Sequence, residues 1–587
     1  MENLSQANLP LSKNAEEKAK ILESFANIVD SVLGDLNAKD LEGKKFSEEF
    51  QFDGVPLWWF YRRLITSHVL PKQFNTADLV KKQKISTIEK GYYQVLRLTF
   101  QKYIKYNERM KVMKVRESVS PRSKERGLKR DAFLIPALCD INRLESHSFS
   151  SLKKRLSGLF NVRAATEPLD KNNEKSKGRK KILFLTYTNH INKKNGEIYR
   201  LNATLNLLKE EKKVDPFILF ADPLSTHSYQ QIKKLENTIY QYIGKEERSK
   251  AELISRELHQ KWASLKKEEV FGVKWGNLQY TLNFFFSQDF IYNTILYYLA
   301  TKRVLQEQSI QGIVITATTG FFERGMIAAA AKLNIPLVII QHGEGLATCN
   351  PELFPDMKVA IAVFGEMFAK RLVKWGIDRK DIELIGPVAF EEIYSFVQKK
   401  QKKTDKILLI TTSLIEGNRI SKEAYFEKIT SILRQLSLLQ KEIVIKLHPA
   451  ERYFDQYTKI IKQEGLKNVI VTQERGSAAL YRLVNERDLV VNLYSTVALQ
   501  AMILGKPVVS LDIVVPSTVP NVDEGIWNGG MQITMDDDIT KAAAEALQDP
   551  PHWKKKRKEI VELYCYKVDG KENERLRDLI YRMSGSK

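Results

Sequence analysis

The sequence predicts an α/β protein with two Rossmann-like domains facing each other across a cleft, preceded by a helical, basic N-terminal extension. Three observations predict this fold class. From residue 181 onward, short apolar runs alternate with amphipathic helical stretches, the pattern of parallel sheets covered on both faces. A charged hinge at 398–406 divides the alternation into two series. The chain of 587 residues, 43% of them hydrophobic, is long enough for several domains and can fill their cores.

Residues 1–80 are predicted to be a helical N-terminal region. The apolar positions that recur at helical spacing are Ile21, Phe25, Ile28 and Val32. Four consecutive aromatic residues at 58–61 predict a core or domain-packing surface, and the alternative for them is a sugar-stacking platform.

Residues 81–180 form a basic segment and linker. Within 81–130, sixteen Lys and Arg stand against four Glu, giving +12 of the chain's formal net charge of +22. Aromatic and aliphatic residues interleave with these bases, as expected of an amphipathic stretch on an anionic membrane surface. A solvated helical face followed by a flexible linker explains the same composition. Nucleic acid is disfavoured as a partner because no recognised binding signature accompanies the charge.

Residues 181–397 are predicted to be the first Rossmann-like domain. Its strands are predicted at KILFLTYT, VDPFILFAD, GIVITA, PLVIIQ and VAIAVFG, with a long helical insert over 228–308. Residues 398–540 are predicted to be the second Rossmann-like domain, with strands at KILLITT, EIVIKL, NVIVT, DLVVNL and PVVSLDI. Helices are predicted to follow over 541–587. Repeated strand–helix units require parallel sheets with right-handed crossovers.

The composition also excludes several classes of protein. Three widely spaced cysteines exclude a disulfide scaffold and fit a reducing compartment. The first twenty residues contain no apolar signal core, and the apolar stretch 284–300 is short and contains polar residues. We therefore expect a soluble cytoplasmic protein, which would lie peripherally on the inner face of the membrane if 81–130 binds lipid.

Ligands of open parallel sheets bind beyond the carboxyl ends of the strands, so the residues that follow each strand are the candidates for chemistry. His448 and Pro449 directly follow EIVIKL, and Ser495 and Thr496 begin the helix after DLVVNL. An imidazole and a helix start with hydroxyls can both bind a phosphate. A surface turn and ordinary helix capping are the alternative explanations. His448 and Ser495 are 47 residues apart, which is two strand–helix units, so both are expected at one sheet edge.

The strand PLVIIQ of the first domain is followed by His342, Gly343, Glu344 and Gly345. The two glycines allow a sharp turn and a close approach of ligand. The imidazole of His342 or the carboxylate of Glu344 could act as general base for an acceptor hydroxyl.

Two further groups are candidates either for ligand contact or for helix capping. The group after GIVITA in the first domain comprises Thr319, Gly320, Glu323 and Arg324. The group that follows the first strand of the second domain comprises Thr411, Thr412 and Ser413, with Asn418 and Arg419 nearby. Neither a G-x-x-x-x-G-K-[ST] loop nor a G-x-G-x-x-G fingerprint is present, and no His/Cys set has zinc spacing. The acidic triplet at 536–538 precedes a helix, which predicts capping. We expect neither a metal ion nor a cofactor.

With these motifs in this order, the chain resembles the GT-B glycosyltransferases of bacterial surface polysaccharides, closest in pattern to the capsule-type sialyl-, polysialyl- and Kdo transferases. The resemblance covers about 181–540, and it implies that the domain at 181–397 binds the acceptor and the domain at 398–540 binds the nucleotide-sugar donor. It implies that Glu344 is the base, in a motif that often carries a second acid where this chain has Gly343. It also implies that His448-Pro449 and Ser495-Thr496 hold the phosphate of a CMP-sugar, and that the transfer is inverting.

Two other families are similar. CDP-glycerol-type polyol-phosphate transferases carry a His-Gly pair after a strand, as His342-Gly343 does here, and in them that histidine is the base. Their usual Asp before Tyr-Ser-Ser is replaced by Leu493 in this chain. UDP-sugar 2-epimerases share the layout, and the sequence TTGFFERG resembles their nucleotide domain.

We therefore expect a metal-independent glycosyltransferase that transfers a sugar from a nucleotide-sugar donor to a cell-surface glycan or glycolipid acceptor. The alternatives are a CDP-polyol phosphotransferase, a UDP-sugar 2-epimerase-like enzyme and a non-catalytic membrane-associated scaffold. The sugar, the nucleotide base, the linkage and the oligomeric state are not predicted by any motif.

Overall fold

The computed structural model describes residues 40–41, 44–64, 178–187, 190–191, 198, 201–221, 237–266, 283, 285–318, 320–341, 353–397, 404–415, 420–474, 476–493, 495–513 and 529–586. The basic segment 81–130 and the helix predicted around 21–32 lie outside these residues. The predictions made for them stay predictions.

The described N-terminal residues form two short antiparallel strand pairs and two helices. The elements are β1 (Asp40–Leu41), β2 (Lys44–Lys45), α1 (Phe46–Glu49), β3 (Gln51–Phe52), β4 (Val55–Pro56) and α2 (Leu57–Leu64). The expectation of helix alone was wrong here for a local reason. Asp53 and Gly54 both take positive φ, at 50° and 69°, and this Asp-Gly turn closes a hairpin.

The aromatic cluster at 58–61 belongs to the core, as one of its two interpretations predicted. Trp58, Phe60 and Tyr61 are buried, at 2%, 1% and 0% exposure. The Tyr61 ring lies 5.2 Å from the ring centroids of both Phe285 and Phe290. Helix α2 therefore attaches the N-terminal segment to the first domain through aromatic packing.

The first domain is organised by a six-stranded, fully parallel sheet. Its strands are β5 (Lys180–Thr186), β6 (Val214–Phe220), β7 (Ile310–Ile315), β8 (Leu337–Ile340), β9 (Val359–Val363) and β10 (Ile382–Leu384), in the order β10-β9-β8-β7-β5-β6. Every residue of β8 and β9 is buried, as their unbroken apolar sequences predict.

Helices cover this sheet and form the predicted insert. They are α3 (Asn202–Glu211), α4 (Lys245–Ser264), α5 (Gln288–Glu307), α6 (Phe321–Leu333), α7 (Glu366–Lys374) and α8 (Tyr394–Val397). Most of the apolar stretch 284–300 lies in α5, which is largely buried within this domain. Among the described residues, no helix combines the length and apolarity that crossing a membrane requires.

The second domain contains another six-stranded parallel sheet. Its strands are β11 (Lys406–Ile410), β12 (Glu442–Lys446), β13 (Val469–Thr472), β14 (Leu489–Asn492), β15 (Val508–Asp512) and β16 (Met531–Thr534), in the order β13-β12-β11-β14-β15-β16. Its helices are α9 (Lys422–Ser437), α10 (Phe454–Gln463), α11 (Ser477–Asn485), α12 (Val497–Ile503) and α13 (Ile539–Gln548). The two sheets confirm the predicted α/β class with two Rossmann-like domains.

The last two helices bring the chain back to the first domain. Helix α14 (Pro551–Tyr564) contacts α12 of the second domain and α7 of the first, while α15 (Glu572–Ser584) packs against α3 and β7. The hydroxyl of Thr204 on α3 donates to Asn573 Oδ1 at 2.6 Å. The C-terminal helices therefore contribute to both domains.

Candidate functional site

Three neighbouring strands of the second sheet place the predicted phosphate-binding residues at one edge. His448 follows β12, Thr412 and Ser413 follow β11, and Ser495 follows β14, with β11 lying between the other two strands. Adjacent strands are about 4.8 Å apart, so the ends of β12 and β14 are separated by roughly 10 Å. A ligand bridging His448 and Ser495 would lie over the end of β11.

The His448 imidazole is half-buried and held in one tautomer. The backbone N–H of Ala450 donates to Nδ1 at 3.1 Å, so in the neutral ring the proton is on Nε2. Nε2 makes no hydrogen bond to another described residue. The turn therefore leaves one N–H donor of the ring available for an external acceptor.

The electrostatic environment keeps this imidazole neutral near pH 7. Burial lowers the pKa of His448 below its ordinary value of 6.5, and the nearby Lys446 ammonium lowers it further. Lys446 is itself 7% exposed and donates from Nζ to the carbonyl of Leu447 at 2.7 Å. His448 thus offers a neutral hydrogen bond, with a buried positive charge close behind it.

A buried glutamate that sequence reasoning missed supports the turn. Glu451 is 5% exposed, and its carboxylate accepts the backbone N–H of His448 at 2.8 Å. Thr411, Tyr425 and Tyr457 donate hydroxyl hydrogen bonds to the same carboxylate. The sequence shows a glutamate three residues after the histidine, but only tertiary packing reveals that it is buried.

The turn around Ser495 is built on a buried asparagine. The backbone N–H of Ser495 donates to Asn492 Oδ1 at 3.2 Å, and Ser495 Oγ accepts the N–H of Val497 at 3.4 Å. The Ser495 hydroxyl can still donate its own hydrogen. Asn492 is fully buried, and its Nδ2 has no hydrogen-bond partner among the described residues. Thr496 is exposed at the start of α12 and makes no side-chain capping bond.

Of the other predicted residues of the second domain, some lie at the sheet edge and others lie outside the described residues. Thr412 and Ser413 are partly exposed where β11 ends, and the N–H of Leu414 donates to the Thr412 carbonyl at 2.8 Å. Pro449 is exposed in the His448 turn. Asn418, Arg419 and Tyr494 lie outside the described residues, so the contributions expected of Asn418 and Arg419 stay predictions.

In the first domain, the structure describes the strand that leads to the predicted base. Gln341 directly follows β8, and its buried side chain accepts the N–H of Phe364 on Oε1 at 2.9 Å. The residues that follow it, including His342, Gly343, Glu344 and Gly345, lie outside the described residues. The base therefore stays a prediction, located in sequence directly after the carboxyl end of β8.

A buried carboxyl group of the first domain, that of Glu323, lies where the adjacent strands β5 and β7 end. Glu323, in the first turn of α6, is 4% exposed and accepts the hydroxyl of Tyr187 at 2.5 Å. Burial raises its pKa above the ordinary 4.5, and the Tyr187 hydrogen bond opposes that shift. Glu323 Oε2 has no hydrogen-bond partner among the described residues.

The other members of the TTGFFER group differ in position. Arg324 is fully buried, and its guanidinium lies 3.4 Å from the ring centroid of Trp59 and donates to the Trp59 carbonyl. It packs α2 against α6, so the expected ligand contact by Arg324 is not supported. Gly320 is the N-cap of α6, where an added Cβ would lie 2.0 Å from Glu323 Oε2. Thr319 lies outside the described residues.

The acidic triplet at 536–538 caps a helix, as predicted. Asp538 Oδ1 accepts the N–H of Lys541 at the start of α13, and Asp537 accepts the N–H and the hydroxyl of Thr534. Within the part of the chain that the structure describes, no group of three His, Cys, Asp or Glu side chains could hold a metal ion.

Comparison with known proteins places the second domain in context. Residues 391–513 match the sequence model of the family described as capsule polysaccharide biosynthesis protein, over about a fifth of the chain. The matched segment contains His448, Glu451, Ser495 and Thr496. No curated protein matches the chain.

Several solved structures are similar at low sequence identity. UDP-GlcNAc 2-epimerase from Methanocaldococcus jannaschii is 14% identical, with a TM-score of 0.37 over 69% of this chain and 99% of that one. The S. aureus MnaA–UDP structure is 14% identical, with a TM-score of 0.43 over 70% and 98%. Acinetobacter baumannii MurG is 11% identical, with a TM-score of 0.41 over 69% and 99%.

Proposed function

We propose that this protein is a glycosyltransferase of capsular or related surface-polysaccharide synthesis, using a nucleotide-sugar donor with CMP-sugars favoured. One observation carries the proposal. In the segment that matches the capsule family, the His448 turn presents an unused Nε2–H at the same carboxyl edge of a parallel sheet as the Ser495 turn, with the end of β11 between them. Ligands of such sheets bind at this edge.

In the proposed reaction, an acceptor hydroxyl forms a bond to the anomeric carbon of the donor sugar. The bond from that carbon to the phosphate oxygen breaks, and its electron pair leaves with the nucleotide. The Nε2–H of His448 and the hydroxyl of Ser495 donate hydrogen bonds to the departing phosphate, where negative charge grows. Glu344 or His342 accepts the proton of the acceptor hydroxyl. An inverting single displacement is part of the proposal.

The proposal retains the expectation that no metal ion is required, because the two donors and the buried Lys446 charge supply the electrostatic stabilisation. Transfer that persists unchanged in the presence of EDTA would support this part. The acceptor is proposed to be a cell-surface glycan or a lipid-linked glycan, reached at the inner face of the membrane.

The first test combines donor identification with substitution of His448. CMP-, CDP- and UDP-linked sugars are screened by thermal shift, since a true donor raises the melting temperature by mass action. With that donor, His448→Ala should lower kcat by roughly 100- to 1,000-fold, as loss of one transition-state hydrogen-bond donor does. His552→Ala, which alters an exposed histidine on α14, should retain wild-type rates. Unchanged rates in His448→Ala with every donor would remove the assignment.

The same assay separates the base candidates and the alternative functions. Glu344→Gln and His342→Asn are compared directly, and the variant that loses turnover identifies the base. Conversion of a UDP-sugar without acceptor would indicate an epimerase. Transfer of a polyol phosphate from a CDP-polyol would indicate a phosphotransferase. No binding of any nucleotide by calorimetry would indicate a scaffold.

A further inference from the structure

The turn that carries His448 is held against the domain core by the buried carboxylate of Glu451 and by the hydroxyl of Thr411, which accepts the His448 N–H at 3.1 Å. One oxygen of Glu451, Oε2, accepts the backbone N–H of His448 at 2.8 Å and the hydroxyl of Thr411. The other oxygen accepts the hydroxyls of Tyr425 at 3.2 Å and Tyr457 at 2.9 Å. An ionised carboxylate suits four donors because it accepts through both oxygens and donates nothing.

The four donors come from four separate elements. Thr411 follows β11, Tyr425 lies on α9, His448 follows β12 and Tyr457 lies on α10. The two tyrosine hydroxyls also lie 2.8 Å from each other, and both side chains are fully buried. The position of Glu451 is therefore determined by the packed core on this side of the sheet.

The imidazole is fixed at both ends of the same turn. The backbone N–H of His448 donates to Glu451, its shorter contact, and to the Thr411 hydroxyl, while Nδ1 of the ring accepts the N–H of Ala450 two residues later. With these contacts made, the direction of the Nε2–H bond follows from the backbone. Glu451 itself is 5% exposed and lies beneath the turn rather than at its surface.

We infer that Glu451 is a positioning residue, which orients the His448 imidazole toward the donor phosphate without touching the ligand. The inference about catalysis rests on the proposed function, whereas the inference about imidazole orientation can be tested independently. The competing explanation is that the hydrogen-bonded cluster only stabilises the fold. The two explanations differ in whether loss of the Glu451 carboxylate changes the orientation of the His448 imidazole.

The test substitution is Glu451→Gln in the full chain. A glutamine has one acceptor oxygen, and its NH₂ group must face either the His448 N–H and Thr411 or the two tyrosines. The tyrosine hydroxyls can accept the NH₂ group, whereas the His448 N–H cannot. In either orientation the charged acceptor of the His448 N–H is lost or replaced by a neutral amide oxygen, so the turn is expected to shift.

Two control variants isolate the effect on the turn. Glu464→Gln makes the same chemical change at the end of α10, where the carboxylate is paired with Arg434 at the surface. Ile429→Val removes one methylene from the core side of α9, a fully buried position, and lowers stability without altering the Glu451 contacts.

Two readouts are compared across these variants. The first is the imidazole ¹H, ¹³C and ¹⁵N NMR shifts of histidine-labelled protein, with the His448 signals assigned by their loss in His448→Asn. The second is the affinity for CMP and UDP, together with kcat and KM for the donor that the thermal-shift screen identifies.

The inference predicts that Glu451→Gln moves the His448 signals and weakens nucleotide affinity or turnover by about 10- to 100-fold, as sub-ångström to ångström misplacement does. Both control variants should keep the wild-type His448 signals and stay within about twofold in function. If the His448 signals and function of Glu451→Gln match those of Ile429→Val, the inference is overturned. A normal rate in His448→Ala would instead refute the proposed function, and the NMR comparison would still decide the role of Glu451.

Discussion

At the scale of single residues, the two domains present titratable groups whose pKa values are shifted in opposite directions, and burial causes both shifts. Burial disfavours the charged form, so it lowers the pKa of the His448 imidazole and raises the pKa of the Glu323 carboxyl. Both groups are therefore biased toward their neutral forms, and each lies where strands of its sheet end. In their neutral forms, the Glu323 carboxyl and the His448 imidazole can each donate a hydrogen bond without the desolvation cost of a buried charge.

The raised pKa of Glu323 predicts how protein stability responds to pH. The folded state holds the Glu323 proton more tightly than the unfolded state, so its stabilising contribution is complete below about pH 4.5. That contribution is lost as the pH rises through the folded-state pKa. Glu323→Gln lacks this titration, so its melting temperature relative to wild type should increase as the pH rises above about 4.5.

Thermal unfolding at several pH values checks this prediction, with Glu464→Gln as control. The pKa of Glu464 is lowered by its hydrogen bond from Arg434, so that control has the opposite sign, and pairing at the protein surface makes the effect small. If the melting-temperature difference between Glu323→Gln and wild type stays constant with pH, the pKa of Glu323 is not raised in the folded protein and the prediction is wrong.

At the scale of elements, the start of α6 shows how one backbone position controls a side chain. Gly320 takes φ −73° and ψ 158°, which any residue can adopt, so backbone conformation does not demand glycine here. Glycine is required here because of the limited space, since a Cβ on Gly320 would lie 2.0 Å from Glu323 Oε2. Glu323 occupies that space while it accepts the hydrogen bond of Tyr187.

Substitution of two glycines in the same region should therefore have opposite effects. Gly320→Ala displaces the buried Glu323 carboxyl and is expected to destabilise the first domain by about 1–3 kcal/mol. Gly325→Ala, inside α6, places its Cβ 3.6 Å from Thr301 Oγ1, an ordinary contact, and should stabilise by about 0.5–1 kcal/mol. Thermal and urea unfolding of both variants measure the difference, and equal effects would show that the space at Gly320 is not the controlling factor.

The sequence predicts most elements because local pattern determines them. The sequence predicts ten strands from runs of five to nine residues, and all ten are present among the twelve strands of the two six-stranded sheets. The strands β10 and β16 were missed, and both lie at sheet edges. The three residues of β10 and the four of β16 are short, with side chains only partly buried, so neither leaves a distinct apolar run.

The candidate site was predictable only in part, for a related reason. His448 and Ser495 were found because each directly follows a recognisable strand, and the sheet order brings those strand ends to one edge. Glu451 was missed because its role depends on donors from residues 26 and 40 positions away, Tyr425 and Thr411. A ligand-facing role was expected of Arg324, since the sequence does not show that Trp59, 265 positions earlier, covers its guanidinium.

At the scale of the whole molecule, the C-terminal helices connect the two domains by returning to the first. Three side chains of α15, Leu576, Leu579 and Ile580, are buried in the same core cluster as Ile182 and Phe184 of β5. Helix α14 lies between, against α12 and α7. The first domain therefore completes its core with residues that lie almost 400 positions after its first strand, so its stability depends on the end of the described chain.

This arrangement predicts that a core substitution in the last helix destabilises the first domain rather than the second. Leu576 is 0% exposed, and Leu576→Ala should cost about 2–5 kcal/mol through lost burial and the cavity left behind. Leu253→Ala on α4 is the matched control, because that side chain is 57% exposed and its loss should change stability by no more than about 0.5 kcal/mol.

Hydrogen–deuterium exchange read by mass spectrometry resolves the two domains in this experiment. In Leu576→Ala, faster exchange is expected in β5 and β6 because their core cluster has lost a packing partner, while β12 and β13 keep wild-type protection. Faster exchange confined to the second sheet would contradict the assignment of α15 to the first core. Exchange that rises equally in both sheets would mean that α14 and α15 couple the domains into one cooperative unit, so that domain closure around a donor must also move these helices.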